Sequence, residues 1–207
     1  MLLFSLQLLA SFLFVAYLRN NFASIDLNLY SWIGTIQNSS FTIFAKAIDI
    51  IFDTDSLLLM SLVMATLLIV RTYLKGGILL LTAMAGDALL VEVTKSFFHT
   101  PRPTNMLIPK LDYAFPSGHA TGSIVFFGVL TFLIWQYWKS TKVRVTTSVL
   151  YVTAIVLIGF DRLYLNVHWF SDVIGGYLLG GFWLSLAIVL FSILGTLVLA
   201  RNERTKG

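Results

Sequence analysis

Apolar and polar residues fall along this chain in long blocks, and the blocks predict helices. Leu2 to Leu18 is an apolar run that stops at Arg19, close to the shortest helix that spans a bilayer. It has no basic segment ahead of it and no small-x-small cleavage site, so a retained first span is expected rather than a cleaved leader. From Leu27 to Phe52 apolar residues recur at helical spacing (Leu29, Ile33, Ile36, Phe41, Phe44, Ala45, Ile48, Ile51) between Asp, Asn and Lys. This predicts one or two amphipathic helices at the membrane interface; a loop packed over a bundle is the alternative. Further apolar runs cover Ser56–Tyr73, Ile78–Phe98, Gly118–Trp138, Val145–Phe160 and Val173–Ala200. Pro101, Pro103 and Pro109 forbid a continuous helix between His99 and Pro116. The architecture expected is all-α: a six-transmembrane helix bundle forming one domain over residues 1–207, with an interfacial segment at about 20–55.

The third span carries Asp87, Glu92 and Lys95. A charge at mid-bilayer costs about 2.5–3.5 kcal/mol on insertion scales. These side chains are therefore expected to face protein, to pair, or to sit near the surface, and Glu92 and Lys95 at i, i+3 can reach one another. Four glycines at the start of the sixth span (Gly175, Gly176, Gly180, Gly181) allow close helix approach.

Composition changes the picture little. Hydrophobic residues make up 57% of the chain and charged residues 12%, against about 25% charge in soluble domains; the mean hydropathy is +0.85. The absence of cysteine excludes disulfides, thiolate chemistry and Cys-based metal sites. The net charge of +4 comes with no basic run or nucleic-acid motif, so no nucleic-acid partner is expected, and no oligomeric state is specified. The turns after the second and fourth spans and the C-terminal tail hold Arg71, Lys75, Lys139, Lys142, Arg144, Arg201, Arg204 and Lys206 against Glu203. The opposite face holds Arg19, Lys46 and Lys110 against Asp26, Asp49, Asp53, Asp55 and Asp112. The positive-inside rule then puts both termini in the cytoplasm and the active face outside a cell membrane.

Two polar islands interrupt the apolar blocks, Lys95 to His119 and Arg162 to Asp172. Phosphoryl transfer needs cations on the non-bridging oxygens, an in-line nucleophile and an acid for the leaving oxygen. Lys95, Arg102 and Arg162 supply cations, and the arginine forks match phosphate oxygens bidentately. Ser117 and Gly118 enter a helix whose N-terminal amides point at an anion. His119 lies at the same helix start. His168 and Asp172 are four apart, so the carboxylate can hold one imidazole nitrogen as N–H and leave the other free to attack.

These residues resemble the type 2 phosphatidic acid phosphatase family, whose three signatures occur in order. Lysine, six residues and Arg-Pro appears as Lys95 to Arg102-Pro103; Pro-Ser-Gly-His is Pro116 to His119; arginine, five residues, His, three residues, Asp is Arg162 to His168 to Asp172. With the span pattern, the similarity covers nearly the whole chain except residues 19–55. The resemblance implies that His168 is the nucleophile forming a phosphohistidine, that Asp172 orients it, and that His119 protonates the leaving oxygen and later activates water. It implies that Lys95, Arg102, Ser117, Gly118 and Arg162 hold the phosphate, and that no metal or other cofactor takes part. One departure stands beside the third motif, where Asp161 occupies a position often held by serine; it either pairs with Arg162 or weakens phosphate binding.

Taken singly, each motif has an ordinary reading: His168 as an interfacial histidine, Lys95 and Arg102 as snorkelling helix ends, Tyr164 and Trp169 as part of an aromatic belt. His99 is expected to have no catalytic role. Together the motifs imply a membrane enzyme that removes the terminal phosphate from a lipid phosphate or diphosphate at the bilayer surface. Undecaprenyl diphosphate, phosphatidylglycerol phosphate and phosphatidic acid are candidate substrates, the first preferred because the chain looks like a short, stand-alone microbial member. A lipid phosphotransferase with another acceptor and a non-catalytic lipid-phosphate binding or transport protein are the alternatives.

Overall fold

The structure, a computed structural model, describes residues 1–204, with side chains described as far as Leu194 apart from that of Asn20. The basic tail side chains used in the charge argument lie outside the described residues. Among the described residues eight helices follow one another: α1 (Leu2–Tyr17), α2 (Ala23–Ile36), α3 (Ser39–Ile51), α4 (Thr54–Val70), α5 (Leu74–Phe98), α6 (Gly118–Tyr137), α7 (Thr141–Tyr164) and α8 (Phe170–Arg204), with a 3-10 turn at Arg19–Phe22. No strand occurs among the described residues. The segment expected to be amphipathic forms α2 and α3. Asn38 starts α3 by accepting from the Phe41 amide at 3.0 Å, and Asp53 starts α4 by accepting from the Ser56 amide at 2.7 Å. At the other end of α5, His99 takes a left-handed conformation (φ 48°) just ahead of Pro101, so the helix stops where the proline-rich loop begins.

Among the described residues four helices are long and apolar enough to cross a membrane: α5, α6, α7 and the Phe170–Leu194 part of α8. The pair α3–α4, bent by 54° at its break, makes a fifth if counted as one broken span, and α1 is a shorter apolar helix. By length and apolar character, four to five of the expected six spans therefore qualify. Exposed apolar residues such as Val145, Val149, Val152 and Val156 on α7 form an outward stripe, suited to lipid and costly in water.

The main core lies between α4, α5, α6 and α8 around Leu57, Leu80, Met84, Val125, Phe126 and Val129. A second cluster joins α1 to α8 through Phe12, Val15, Phe115 and Leu179. A third packs α2 and α3 (Ile33, Ala45) on Tyr164, Leu165 and Val167, with Leu107 of the long loop against it. Tyr164 is buried in that cluster rather than placed in a belt, and its hydroxyl donates to the Asn38 carbonyl at 3.1 Å.

Of the four glycines, Gly176 and Gly180 set the closest approach of α8 to α6. A Cβ at 176 would lie 2.7 Å from the Ser117 carbonyl oxygen and 2.9 Å from the Ala120 Cβ; one at 180 would lie 2.8 Å from the Thr121 carbonyl oxygen. Backbone atoms cannot rotate away, so the helices would have to part. This contact also seats the amide of Ser117, which donates to the Asp172 carbonyl at 3.0 Å. The substitution Gly176→Ala is expected to destabilise the protein by about 1–3 kcal/mol, read as a lower thermal midpoint in detergent; an unchanged midpoint would show that the two helices have slack.

Candidate active site

The helices alternate in direction, so the motif-bearing ends meet at one end of the bundle. Arg71, Lys75, Lys139, Lys142 and Arg144 gather at the other end. Lys95 comes from the last turn of α5, His119 from the first turn of α6, Arg162 from the last turn of α7, and Asp172 from the first turn of α8. Arg102 and His168 come from the connecting loops. The long loop is tied down by Leu107 N–H to the Leu165 carbonyl at 3.0 Å and Ala114 N–H to the Thr100 carbonyl at 2.9 Å. Around these side chains is a cavity of about 180 Å³, lined by Lys95, Arg102, Gly118, His119, Arg162 and His168, together with Lys110, Asp112 and the start of α4. Asp172 stands behind His168. Ser117 is fully buried beside Gly118, does not line the cavity, and its Oγ has no hydrogen-bond partner among the described residues.

His168 presents its two nitrogens to different partners. Nδ1 lies 3.5 Å from Asp172 Oδ2, and Nε2 lies 3.2 Å from Arg102 Nη1 on the cavity side. The Asp172 carboxylate is itself held by the Trp169 amide at 2.8 Å. Burial, and then the nearby cations Arg102, Lys95 and Arg162, push the His168 pKa well below the ordinary imidazole value. The ring is therefore neutral at neutral pH, with a lone pair directed at the cavity. His119 stands across the cavity, its Nε2 2.9 Å from Arg162 Nη1 and 3.3 Å from Asp49 Oδ1.

The cations are already partnered by carboxylates. Arg162, fully buried, pairs with Asp49 of α3 and with its neighbour Asp161. Pairing is thus the observed outcome of the departure at position 161. Lys110 lies 3.1 Å from Asp49. Lys95 pairs with Asp112, not with Glu92, which is exposed. Arg102 donates to Asp112 Oδ1 at 2.8 Å and to the Val167 carbonyl. Burial pushes the Asp112 carboxyl up, but Lys95 and Arg102 more than offset this and hold it below its usual range. Asp87 is buried in α5 with its Oδ1 unpartnered among the described residues, and His99 is exposed with its ring 4.6 Å from that of Tyr113.

The structure thus brings together all the candidate residues, with Ser117 and Asp172 one layer behind the cavity wall. Sequence reasoning missed Lys110, which lines the cavity, Asp112, which bridges two of its cations, and Asp49, which pairs with Arg162 behind the cavity wall. The available signal was a carboxylate at i, i+4 from Ala45 on the apolar face of α3; both residues are buried.

A family model described as the PAP2 superfamily matches residues 76–195, more than half of the chain. This chain belongs to the PAP2 superfamily. Among curated PAP2 relatives, the undecaprenyl-diphosphatase of Sulfolobus acidocaldarius is 36% identical over 138 residues, 61% of this chain and 60% of that protein. Phosphatidylglycerophosphatase B of Bacillus subtilis is 30% identical over 106 residues, 50% of this chain and 52% of that protein. The matched stretches thus span between half and three fifths of these relatives' own lengths. In fold, the chain is similar to the crystal structure of the Bacillus subtilis PAP2-type phosphatidylglycerolphosphate phosphatase, with a TM-score of 0.83 at 24% identity over 90% of this chain and 95% of that one. Aquifex aeolicus LpxE follows with a TM-score of 0.61 at 23% identity over 78% and 93%.

An entering anion has to take the place of the carboxylates on Lys95 and Arg102. Asp112, which pairs with both, is half exposed, whereas Asp49 sits deeper. Asp112→Asn is therefore expected to tighten inorganic phosphate binding several-fold, measured by calorimetry in detergent, since the amide competes less for the two cations; weaker binding would mean that Asp112 organises the cations rather than occupying them.

Proposed function

We propose that this protein is an integral-membrane lipid phosphatase that hydrolyses the terminal phosphate of a lipid phosphate or diphosphate through a phosphohistidine. The observation that carries the reading is His168, with Nδ1 toward Asp172 and Nε2 toward Arg102 and the cavity. Lys95, Arg102 and Arg162, with the Gly118 end of α6 and Ser117 behind it, hold the phosphate oxygens. His168 Nε2 attacks phosphorus, the bond to the lipid oxygen breaks, and His119 gives that oxygen its proton. Asp172 stabilises the charged imidazole. Water then attacks phosphorus, His119 takes its proton, the P–N bond breaks and phosphate leaves. The charge on the phosphate is met by the protein's own cations, and no metal is assigned a role.

In this reading one domain over residues 1–207 carries six spans, with α1 and α4 crossing alongside α5 to α8, and α2 and α3 lying at the interface. The termini are cytoplasmic and the cavity is extracytoplasmic, because the basic turns gather at the far end. Lipid substrates suit a cavity at headgroup depth. Undecaprenyl diphosphate is favoured, in line with the archaeal relative's name, with phosphatidylglycerol phosphate and phosphatidic acid next.

The decisive experiment is phosphate release in detergent with EDTA, across the three lipids. Release is expected to persist in the chelator and to fall by at least about 10³-fold in His168→Ala. A requirement for Mg²⁺ would overturn the metal-free route, and substantial activity in the variant would remove His168 as nucleophile. Because His168 is neutral well below the ordinary imidazole value, the acid limb of kcat/KM is expected to lie below pH 6.5; a limb above it would show a protonated ring in the free enzyme.

A further inference from the structure

We infer that Arg19, which lies outside both the motifs and the matched residues 76–195, is a positioning residue for the nucleophile, acting through Asp172. The inference rests on the reading of His168 above. Arg19 opens the 3-10 turn between α1 and α2, and its guanidinium touches all three motif-bearing segments. Nη2 lies 2.8 Å from Asp172 Oδ1, and Nε donates to Ser171 Oγ at 3.4 Å. Nη1 donates to Thr100 Oγ1, between Lys95 and Arg102. The guanidinium carbon sits 5.1 Å from the ring centre of Phe115, next to Pro116.

The two oxygens of Asp172 are thereby divided. Oδ1 faces Arg19, while Oδ2 faces His168 Nδ1 and the Trp169 amide. The Asp172 side chain is fully buried, and a buried carboxylate without a cation tends to take up a proton or rotate toward another donor. Either change removes the acceptor that keeps the proton on Nδ1 and the lone pair on Nε2. Such outer partners of a histidine-holding carboxylate typically matter by about 10–100-fold. Asp26 holds the adjacent backbone in register. Its Oδ1 accepts from the Ser171 amide at 2.9 Å and its Oδ2 from the Ser171 hydroxyl at 2.7 Å.

Arg19 does not line the cavity beside His168, and its guanidinium nitrogens face Asp172, Ser171 and Thr100, so it is placed to position rather than to bind phosphate. The test is a double-mutant cycle on phosphate release from undecaprenyl diphosphate in detergent. Arg19→Gln is expected to lower kcat by about 10–100-fold with KM changed less than about twofold, and Arg19→Lys to recover part of the loss. In an Asp172→Asn background, Arg19→Gln is expected to change kcat by less than about threefold, because the pathway it acts through is already cut. An Arg19→Gln enzyme with wild-type kcat overturns the inference, as does an equal loss in both backgrounds, which would mark a structural tether. If Arg19→Gln does not fold, the Arg19→Lys cycle decides by the same criterion. A wild-type protein that releases no phosphate overturns the functional reading and this inference together, whereas the outcomes above leave that reading standing.

Discussion

A guanidinium buried to zero exposure in an apolar helix bundle has to be met by negative charge, and most of the polar end of this molecule follows from meeting it. Arg162 is the largest fully buried side chain among the described residues. Its partners Asp49 and Asp161 come from α3 and from its own helix, so the demand for neutrality reaches across the fold and fixes how α3 lies against α7. The same demand recurs at Lys95 and Arg102, met by Asp112. The outcome is a small cavity in which cations and carboxylates stand in balance. A divalent anion entering as one carboxylate moves aside would change the net charge by only one unit.

That balance separates what the sequence disclosed from what it hid. Lys95, Arg102, His119, Arg162, His168 and Asp172 were legible because each sits at a fixed spacing from helix ends and prolines, and because a charge beside an apolar run is conspicuous. The long helices were legible for the same reason of contrast. Their neutralising partners were not. Asp49 is separated from Arg162 by 113 residues and Arg19 from Ser171 by 152, and no local pattern encodes a pairing of that range. Lys95 illustrates the limit: helical spacing offered Glu92, and the fold supplied Asp112 from the loop. Tyr164 shows it again, since an aromatic near an apolar boundary reads as a belt residue until α2 and α3 cover it.

The segment before the family match is therefore more than a membrane anchor. Arg19, after α1, braces the loop at Thr100 and Phe115 and the start of α8, α2 caps the same helix through Asp26, and α3 places a carboxylate against Arg162. The three motifs, carried by α5 to α8 and the loops between them, are completed by residues from a region with no motif of its own, and differences in that region have a direct route to the motif side chains.

The packing of Gly176 against Ser117 has a consequence of a different kind. At Gly176 and Gly180 the backbone of α8 lies directly on carbonyl and Cβ atoms of α6. The spacing between the starts of these two helices is thus set largely by main chain rather than by a layer of large apolar groups. The lipid-facing residues of both helices are released from any duty to hold that separation. They can drift to match membranes of different thickness and composition, while His119 at the start of α6 and Asp172 at the start of α8 keep their spacing.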